Sequence, residues 1–296
     1  MDMKTNKDTS KSLWMHAWDS LKRDKVAVFC MFLIALYCLL AFLTFTGLVA
    51  SDWSKEVGAS YLPPSIEGFK INLLFGTDIF GRSVLFKTLK GVEMAMAIGL
   101  VTSLISTVIG ITLGLISGYF GGKVDELIVW FYTSLASIPY IMLLFAVMFV
   151  LGKGTFTLFI ALGITSWVPL CRLVRGEVLR HKEREYVQAA AALGAGHKRR
   201  MIKHILPNIF HIVIIQFSLR FQTAIKSEVI LSYLGLGVQG VPSWGTMIDD
   251  AKLELARGVY WQLAAATIAM FFLVLALNLL GDSLRDALDP KLKGKA

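Results

Sequence analysis

Long apolar runs separated by shorter polar segments fill most of the chain, and this pattern predicts helices that cross a membrane. A helix of about 20 apolar residues is long enough to span the hydrocarbon core of a bilayer. Six runs of about this length occur in the sequence. We therefore predict an all-α polytopic membrane protein with six transmembrane helices, at 26–50, 92–118, 125–150, 155–171, 209–238 and 261–281.

The segment before the first run has a different pattern. In residues 12–25, apolar side chains recur at helical spacing and basic side chains follow. The apolar ones are Leu13, Trp14, Ala17, Trp18 and Leu21, and the basic ones are Lys22, Arg23 and Lys25. This pattern is typical of an amphipathic helix on the membrane surface, with tryptophan at the headgroups. We expect residues 1–25 to be a tail carrying this helix and not a cleavable signal, because the run at 26–50 is too long for one.

Composition and charge agree with a membrane protein. The chain is 55% hydrophobic and 17% charged, with a formal net charge of +9. Basic residues collect on cytoplasmic loops, so this charge indicates contact with lipid and not with nucleic acid. With both termini inside, 20 of the 30 Lys and Arg residues fall in inside segments, at about twice the density of the outside segments. The termini and residues 172–208 are therefore predicted to be cytoplasmic.

The polar segment 185–208 interrupts the apolar pattern and contains four consecutive alanines at 189–192. Alanine favours a short helix, and Gly194 and Gly196 are expected to end it. A second helical stretch is predicted to begin near Lys198 and to reach Pro207, close to the fifth span. An all-alanine surface can be approached closely by another protein, whereas a simple solvated loop is the alternative interpretation.

Within this segment, "QAAAALG" followed by "HILP" resembles the cytoplasmic EAA loop of ABC importer permeases. The residues at the spacing of that pattern are Gln188, Ala189, Ala190, Gly194, Leu206 and Pro207, although Gln188 replaces the usual Glu and His204 the usual Ile. The stretches 75–85, 231–247 and 278–294 resemble signatures of the C-type permease subunits of dipeptide, oligopeptide and nickel importers. The "VQGVPSWG" loop is shorter than in that family.

The resemblance implies a MetI-like permease core of five helices at 92–281, preceded by one helix at 26–50 and an extracytoplasmic loop at 51–91. Residues 282–296 would form a cytoplasmic tail. It also implies a bacterial inner-membrane complex with a sister permease, two ATP-binding subunits and an extracytoplasmic binding protein.

The energy source would then lie on other subunits. The chain has no GxxxxGK[ST] phosphate loop, so ATP and Mg²⁺ are expected on the partner subunits and no cofactor in this chain. By the resemblance, segment 185–207 would dock on an ATPase. Its coupling residues would be Glu185, Tyr186, Gln188, Ala189, Ala190, Gly194 and Pro207.

Polar residues inside the fifth run form a second candidate site. They are Arg220, Gln222, Lys226 and Glu228. A charge at the bilayer centre costs about 2.5–3.5 kcal/mol, so such side chains usually face a bundle interior or water. They could line a translocation path or gate, or form structural ion pairs. Lys226 and Glu228 are two residues apart and do not face each other, so their partners are expected elsewhere.

Other motifs favour structural interpretations. His197, His204 and His211 recur every seven residues, but no carboxylate or thiolate completes a metal site, so none is predicted. Thr77 or Asp78 is expected to cap a helix, with turns at Gly76 and Gly81; contact with the binding protein is the alternative. Pro139 and Pro169 are expected to kink their spans. The cysteines Cys30, Cys38 and Cys171 form no CxxC pair.

Together these observations favour a non-catalytic permease subunit of an ATP-driven importer, with peptides as the cargo. A permease of the same family for nickel or another small solute is the nearest alternative. An ion-coupled secondary transporter that uses Arg220, Lys226 and Glu228 as a relay is an alternative from another class. No motif of a membrane enzyme is present in the sequence.

Overall fold

The computed structural model describes residues 13–65 and 70–288, and within these ranges the regular structure is helical, with only two isolated β-bridges. The helices are α1 Leu13–Arg23, α2 Lys25–Phe45, α3 Val84–Phe120, α4 Gly122–Ala136, α5 Tyr140–Leu151, α6 Thr155–Thr165, α7 Val168–Lys182, α8 Glu185–Ala192, α9 His197–Arg199, α10 Leu206–Tyr233, α11 Trp244–Leu255 and α12 Trp261–Leu288. A π-helical segment, Arg200–Ile205, joins α9 to α10.

Five helical segments are long and apolar enough to cross a membrane: Lys25–Phe45, Val84–Phe120, Thr155–Lys182, His197–Tyr233 and Trp261–Leu288. The third predicted span, 125–150, is not one helix, because α4 and α5 meet at an angle of 93°. Pro139 lacks a backbone N–H and disfavours helical backbone at the residue before it, which explains the break. Counting this pair as one broken crossing gives the six spans predicted from the sequence.

The fourth span continues to Lys182 and the fifth begins at His197, so the predicted bounds 155–171 and 209–238 are too short at these ends, and the fifth span also ends earlier, at Tyr233. Hydropathy marks only the part of a helix in lipid, whereas these helices continue as polar turns. Pro169 does not kink a helix interior; it lies in the first turn of α7, where its missing N–H costs no hydrogen bond. Pro207 lies likewise in the first turn of α10.

Helix α3 is the centre of the bundle and packs most closely on α7. Gly110, Gly114 and Gly118 follow one face of α3 at four-residue spacing, opposite Leu170, Val174 and Val178. A β-carbon at Gly114 would lie 2.8 Å from the Cys171 carbonyl oxygen, and one at Gly118 would lie 2.8 Å from the Arg175 carbonyl oxygen. Small residues therefore bring these two backbones together, as is common between membrane helices.

The predicted amphipathic helix is present as α1, but α12 covers part of its apolar face. Ala17 and Leu21, one turn apart, are buried at the contact with α12. Trp18 remains about half exposed. Just after α1, Asp24 accepts a hydrogen bond of 2.9 Å from the Ser283 hydroxyl, which ties the start of α2 to the end of α12. A position at the membrane surface remains a prediction for α1.

At the opposite end of the bundle, the loop before α3 surrounds a buried ion-pair cluster. Asp78 Oδ2 accepts hydrogen bonds from Arg82 Nε at 2.8 Å and from Lys87 Nζ at 3.0 Å. Lys87 Nζ also donates to Gln262 Oε1 of α12 at 2.8 Å, and Asp78 and Lys87 are both buried. Burial alone would raise the pKa of Asp78, but the Lys87 and Arg82 cations outweigh it and hold this pKa below its ordinary value.

This arrangement corrects the predicted helix cap. Ser83, and not Thr77 or Asp78, caps α3, because its hydroxyl accepts the Phe86 N–H at 3.3 Å. The predicted glycine turns are confirmed, with φ of 74° at Gly76 and 69° at Gly81. The loop thus has a structural role in joining α3 to α12, and contact with a binding protein remains a prediction.

Glu254 of α11 gives a testable pH dependence. Its carboxylate is 2% exposed and has no hydrogen-bond donor of standard geometry among the described residues. Burial raises its pKa from 4.5 to about 7, although Lys87 acts in the opposite direction. Between these two pH values the unfolded chain ionises while the folded chain keeps the proton, so stability falls as the pH rises.

We therefore expect Glu254→Gln to raise the thermal unfolding midpoint of the purified protein by a few degrees at pH 8 and to change it little at pH 5. The exposed Glu56→Gln at the same end of the bundle is the control. An equal effect of Glu254→Gln at both pH values would contradict the assignment.

Candidate functional site: helix α8 and the α10 rod

Helix α8 lies across the end of the bundle and is held there by two side chains. Val187 is 2% exposed and Ala190 is 7% exposed. Val187 packs in a core cluster with Val178 of α7, Ile205 of the π-helical segment and Ile209 of α10. The buried face of α8 therefore contacts the helices on either side of it in sequence.

Two further contacts position the start of α8. The Tyr186 hydroxyl lies 2.7 Å from His181 Nδ1 of α7. Gln188 Nε2 donates to the carbonyl oxygen of Glu183 at 3.2 Å, across the turn between α7 and α8. A carboxylate cannot donate this hydrogen bond, which gives the Gln188 departure from the EAA pattern a physical role.

The end of α8 has the geometry that we expect from its glycine. Gly194 has φ +82°, which is left-handed. Its N–H donates to the Ala191 carbonyl at 3.0 Å, and the Ala195 N–H donates to the Ala190 carbonyl at 2.9 Å. These two bonds form a Schellman motif with Gly194 at the C′ position. Space is open around Gly194, so the requirement for glycine is conformational.

The side of α8 away from the bundle is uncovered in this chain. Tyr186, Ala189 and Leu193 share one helical stripe, which we call the outer face of α8. Leu193 is 89% exposed and Tyr186 is 37% exposed. Leu193 was not among the residues predicted from the sequence. A leucine just before a C′ glycine in a polar segment is nevertheless a pattern that could have indicated an exposed apolar side chain. Leu193 and Tyr186 thus leave apolar surface on the outer face that the described residues do not cover.

Beyond the glycine turn the chain becomes one long helical rod. His197–Tyr233 is continuous through the π-helical segment and Pro207, and its 37 residues span about 55 Å. We call it the α10 rod. His197 Nδ1 lies 3.0 Å from the Tyr119 hydroxyl at the end of α3. In the described part of the chain, no group of three or more His, Cys, Asp or Glu side chains is placed to hold a metal ion.

The polar residues of the α10 rod point in different directions. The Arg220 guanidinium donates to the Ser166 carbonyl, which lies at the break between α6 and α7. Glu228 is buried and accepts 2.6 Å hydrogen bonds from the hydroxyls of Ser232 and of Ser243, the N-cap of α11. As expected, Glu228 has a partner beyond its own helix turn, Ser243. Both of its partners are hydroxyl groups, however, and not a cation.

Lys226 and Gln222 differ from these two. Gln222 is buried, and its Oε1 has no hydrogen-bond partner in the described ranges. Lys226, one turn further along the rod, is exposed, and no hydrogen bond or ion pair reaches its ammonium group from residues 13–65 or 70–288. The structure thus does not gather the four residues into one site: Arg220 and Glu228 are held by structural contacts, and Lys226 remains free.

Comparisons with known proteins agree with this architecture. The family model described as "Binding-protein-dependent transport system inner membrane component" matches residues 110–294. The model of the N-terminal TM domain of oligopeptide transport permease C matches residues 12–64. A chain of the MetNI methionine ABC transporter, solved in inward-facing conformations, aligns with a TM-score of 0.57 at 18% identity, covering 70% of this chain and 98% of that one. This likeness shows a shared MetI-like fold.

Curated relatives match over nearly the whole length. The dipeptide transport system permease protein DppC of Bacillus subtilis (strain 168) is 35% identical, with 97% of this chain and 88% of that protein covered. The oligopeptide transport system permease protein OppC of the same organism is 37% identical, with 96% and 92% covered. This chain therefore belongs to the family of binding-protein-dependent transport system inner membrane components.

Proposed function

We propose that this chain is a permease subunit of an ATP-driven importer that moves peptides across a bacterial inner membrane. The relatives named for dipeptide and oligopeptide transport support peptides over nickel or another small solute as cargo. An ion relay through Arg220, Lys226 and Glu228 finds no support, because these side chains face different neighbours. One structural observation carries the proposal. Val187 holds α8 against the bundle, and the outer face of α8 is left uncovered by the described residues.

In the proposed complex, the chain pairs with a sister permease, and each permease receives one ATP-binding subunit. An extracytoplasmic binding protein delivers the cargo, and ATP and Mg²⁺ lie on the ATPases. Nucleotide can shift the conformation of the permease only if docking on α8 differs between two states. Because α8 packs directly on the base of the α10 rod, a displacement of α8 would be passed to that rod.

The function is tested by reconstituting the complete complex in proteoliposomes. ATP-dependent accumulation of a labelled peptide is expected, and it should persist when ionophores dissipate the ion gradients. Uptake that requires an ion gradient and ignores ATP would support the secondary-transporter alternative instead.

Docking on the outer face of α8 is tested by Leu193→Asp. A charge placed within an apolar contact should weaken co-purification of the ATPase at least about tenfold, since burying an unpaired carboxylate is costly. Insertion of the permease should be unchanged, because Leu193 contacts solvent in this chain. The control is Leu253→Asp on α11, which alters an equally apolar and 76% exposed side chain at the other end of the bundle. Equal ATPase recovery with both variants would exclude this docking surface.

The proposed orientation places both termini and residue 198 in the cytoplasm. It follows from the distribution of Lys and Arg. In a variant with Cys30, Cys38 and Cys171 replaced, Lys198→Cys should resist a membrane-impermeant thiol reagent in intact cells and react in inverted vesicles. Labelling in intact cells would reverse the orientation.

A further inference from the structure

A small cavity lies between α5 and the α10 rod, immediately after the break at Pro139. Its volume is about 200 Å³. It is lined by Tyr140, Ile141 and Leu144 from α5 and by Thr223, Lys226, Ser227, Ile230 and Leu231 from α10. The lining surface is almost entirely apolar, although Lys226 and three hydroxyl-bearing residues are among the residues that border the cavity.

The face of α10 that borders this cavity is uncovered in the chain but is unsuited to lipid. Thr223, Lys226, Ile230 and Tyr233 are exposed and follow one another at three- and four-residue spacing. A lysine among them is costly in hydrocarbon. The adjoining break between α4 and α5 is irregular backbone, which within a membrane is tolerated against protein or water and not against lipid. This face therefore borders protein or a water-filled path.

The charge on this face is positive and uncompensated within the described chain. Glu228 lies two residues from Lys226, about 200° around the helix, and is turned toward Ser243. The Arg220 guanidinium is directed at the Ser166 carbonyl and not at a carboxylate. Lys226 therefore carries, beside the cavity, an ammonium group without a partner among the described residues, which an anion would stabilise.

We propose that Lys226 receives a carboxylate of the cargo, above all the C-terminal carboxylate of a peptide, as the cargo passes between α5 and the α10 rod. This inference rests on the proposed function. A cavity of about 200 Å³ is smaller than the roughly 300–1,000 Å³ of pockets that enclose whole small molecules, so it would accept one end of a peptide. The Tyr140 hydroxyl on its wall would be a second hydrogen-bond donor.

A passing ligand suits Lys226 better than a permanent ion pair with the sister subunit. Lys226 lies on the same continuous helix as His197, about 44 Å along it. If displacement of α8 moves this helix in each cycle, a fixed partner for Lys226 would have to be broken and remade each time. Release of a cargo carboxylate at this step would instead be part of transport.

The test uses the complete reconstituted complex and two labelled peptides of one sequence, one with a free C-terminus and one amidated. The amidated peptide is chosen so that the wild-type complex transports it measurably. Uptake is measured for the wild type, Lys226→Met and Lys226→Arg, with Lys153→Met in the exposed α5–α6 loop as the matched control. For each peptide, uptake by the variant is divided by uptake by the wild type. This ratio removes any preference of the binding protein for one of the two peptides, because the same binding protein is present in both measurements.

Lys226→Met should lower the ratio about tenfold for the free carboxylate and less than twofold for the amide, because a charge-assisted hydrogen bond is lost only with the former. Lys226→Arg should retain most uptake, and Lys153→Met should behave as the wild type. Equal losses for both peptides, no loss for either, or failure of the Lys226→Met complex to assemble would overturn the proposal. A wild-type complex that accumulates neither peptide would overturn the proposed function, and this inference with it.

Discussion

Replacing Gly194 with valine is expected to lower coupled peptide uptake severalfold or more while the permease stays inserted in the membrane. Gly194 has φ +82°, and a β-branched residue in this conformation is strained by about 1–3 kcal/mol. Relief of that strain would redirect the turn between α8 and the α10 rod. A shift of this size corresponds to about 5- to 150-fold in a conformational equilibrium. Uptake and peptide-stimulated ATP hydrolysis, both measured in proteoliposomes, should decrease by a factor within this range.

The matched control is Gly196→Val, two residues further along the same turn. Gly196 has φ −66° and ψ 164°, which valine adopts readily, and open space surrounds both glycines. The two variants therefore add the same side chain to the same solvent-facing turn and differ in backbone strain. Normal coupled uptake in Gly194→Val, or an equal loss in both variants, would show that the left-handed turn is not required for coupling.

Replacing Asp78 with asparagine is expected to destabilise the bundle by about 3 kcal/mol, because Lys87 loses its buried carboxylate partner and keeps only the half-exposed Asp250 at 3.5 Å. Asp78 is fully buried and is bound by both Lys87 and Arg82. The change should lower the thermal unfolding midpoint in detergent and the abundance of the protein in the membrane.

Two further variants separate the charge effect from a general loss of packing. Asp52→Asn removes an exposed ion pair with Lys55 and should change stability by less than about 1 kcal/mol. Adding Lys87→Met to Asp78→Asn removes the cation that has lost its buried partner and should restore part of the stability, by the logic of a double-mutant cycle. If Asp78→Asn is no more harmful than Asp52→Asn, the buried cluster does not stabilise the fold.

Much of the fold was predictable because lipid imposes simple rules on sequence. Spans such as 26–50 and 261–281 follow directly from apolar length, and their helices begin within a residue of the prediction. At Pro139 the sequence predicted only a kink, because a proline by itself does not determine the angle at which the next helix continues. The 93° angle depends on how α5 packs on its neighbours, especially on α6.

The helix and turn at 185–194 were predictable for a different reason. The alanine run and Gly194 specify a short helix and a left-handed turn by local backbone preference, and both are present. Leu193 was missed because exposure depends on which face of α8 packs inward. The buried Val187 and Ala190 decide that face, and their burial depends on residues far along the chain.

By itself, the sequence determined the class of protein, the number of crossings, and the helix and turn at 185–194, because apolar run length and backbone preference are local properties. The resemblance to importer permeases likewise needed only short motifs. The tertiary structure decided which polar groups are free. Four polar residues of the fifth span look equivalent in sequence, yet packing directs Glu228 to Ser243 and Arg220 to the Ser166 carbonyl. Lys226 lies beside a cavity with no partner among the residues that the structure describes. The direction of a side chain on a helix, and the group that it meets there, depend on contacts between distant segments that no single stretch of sequence contains.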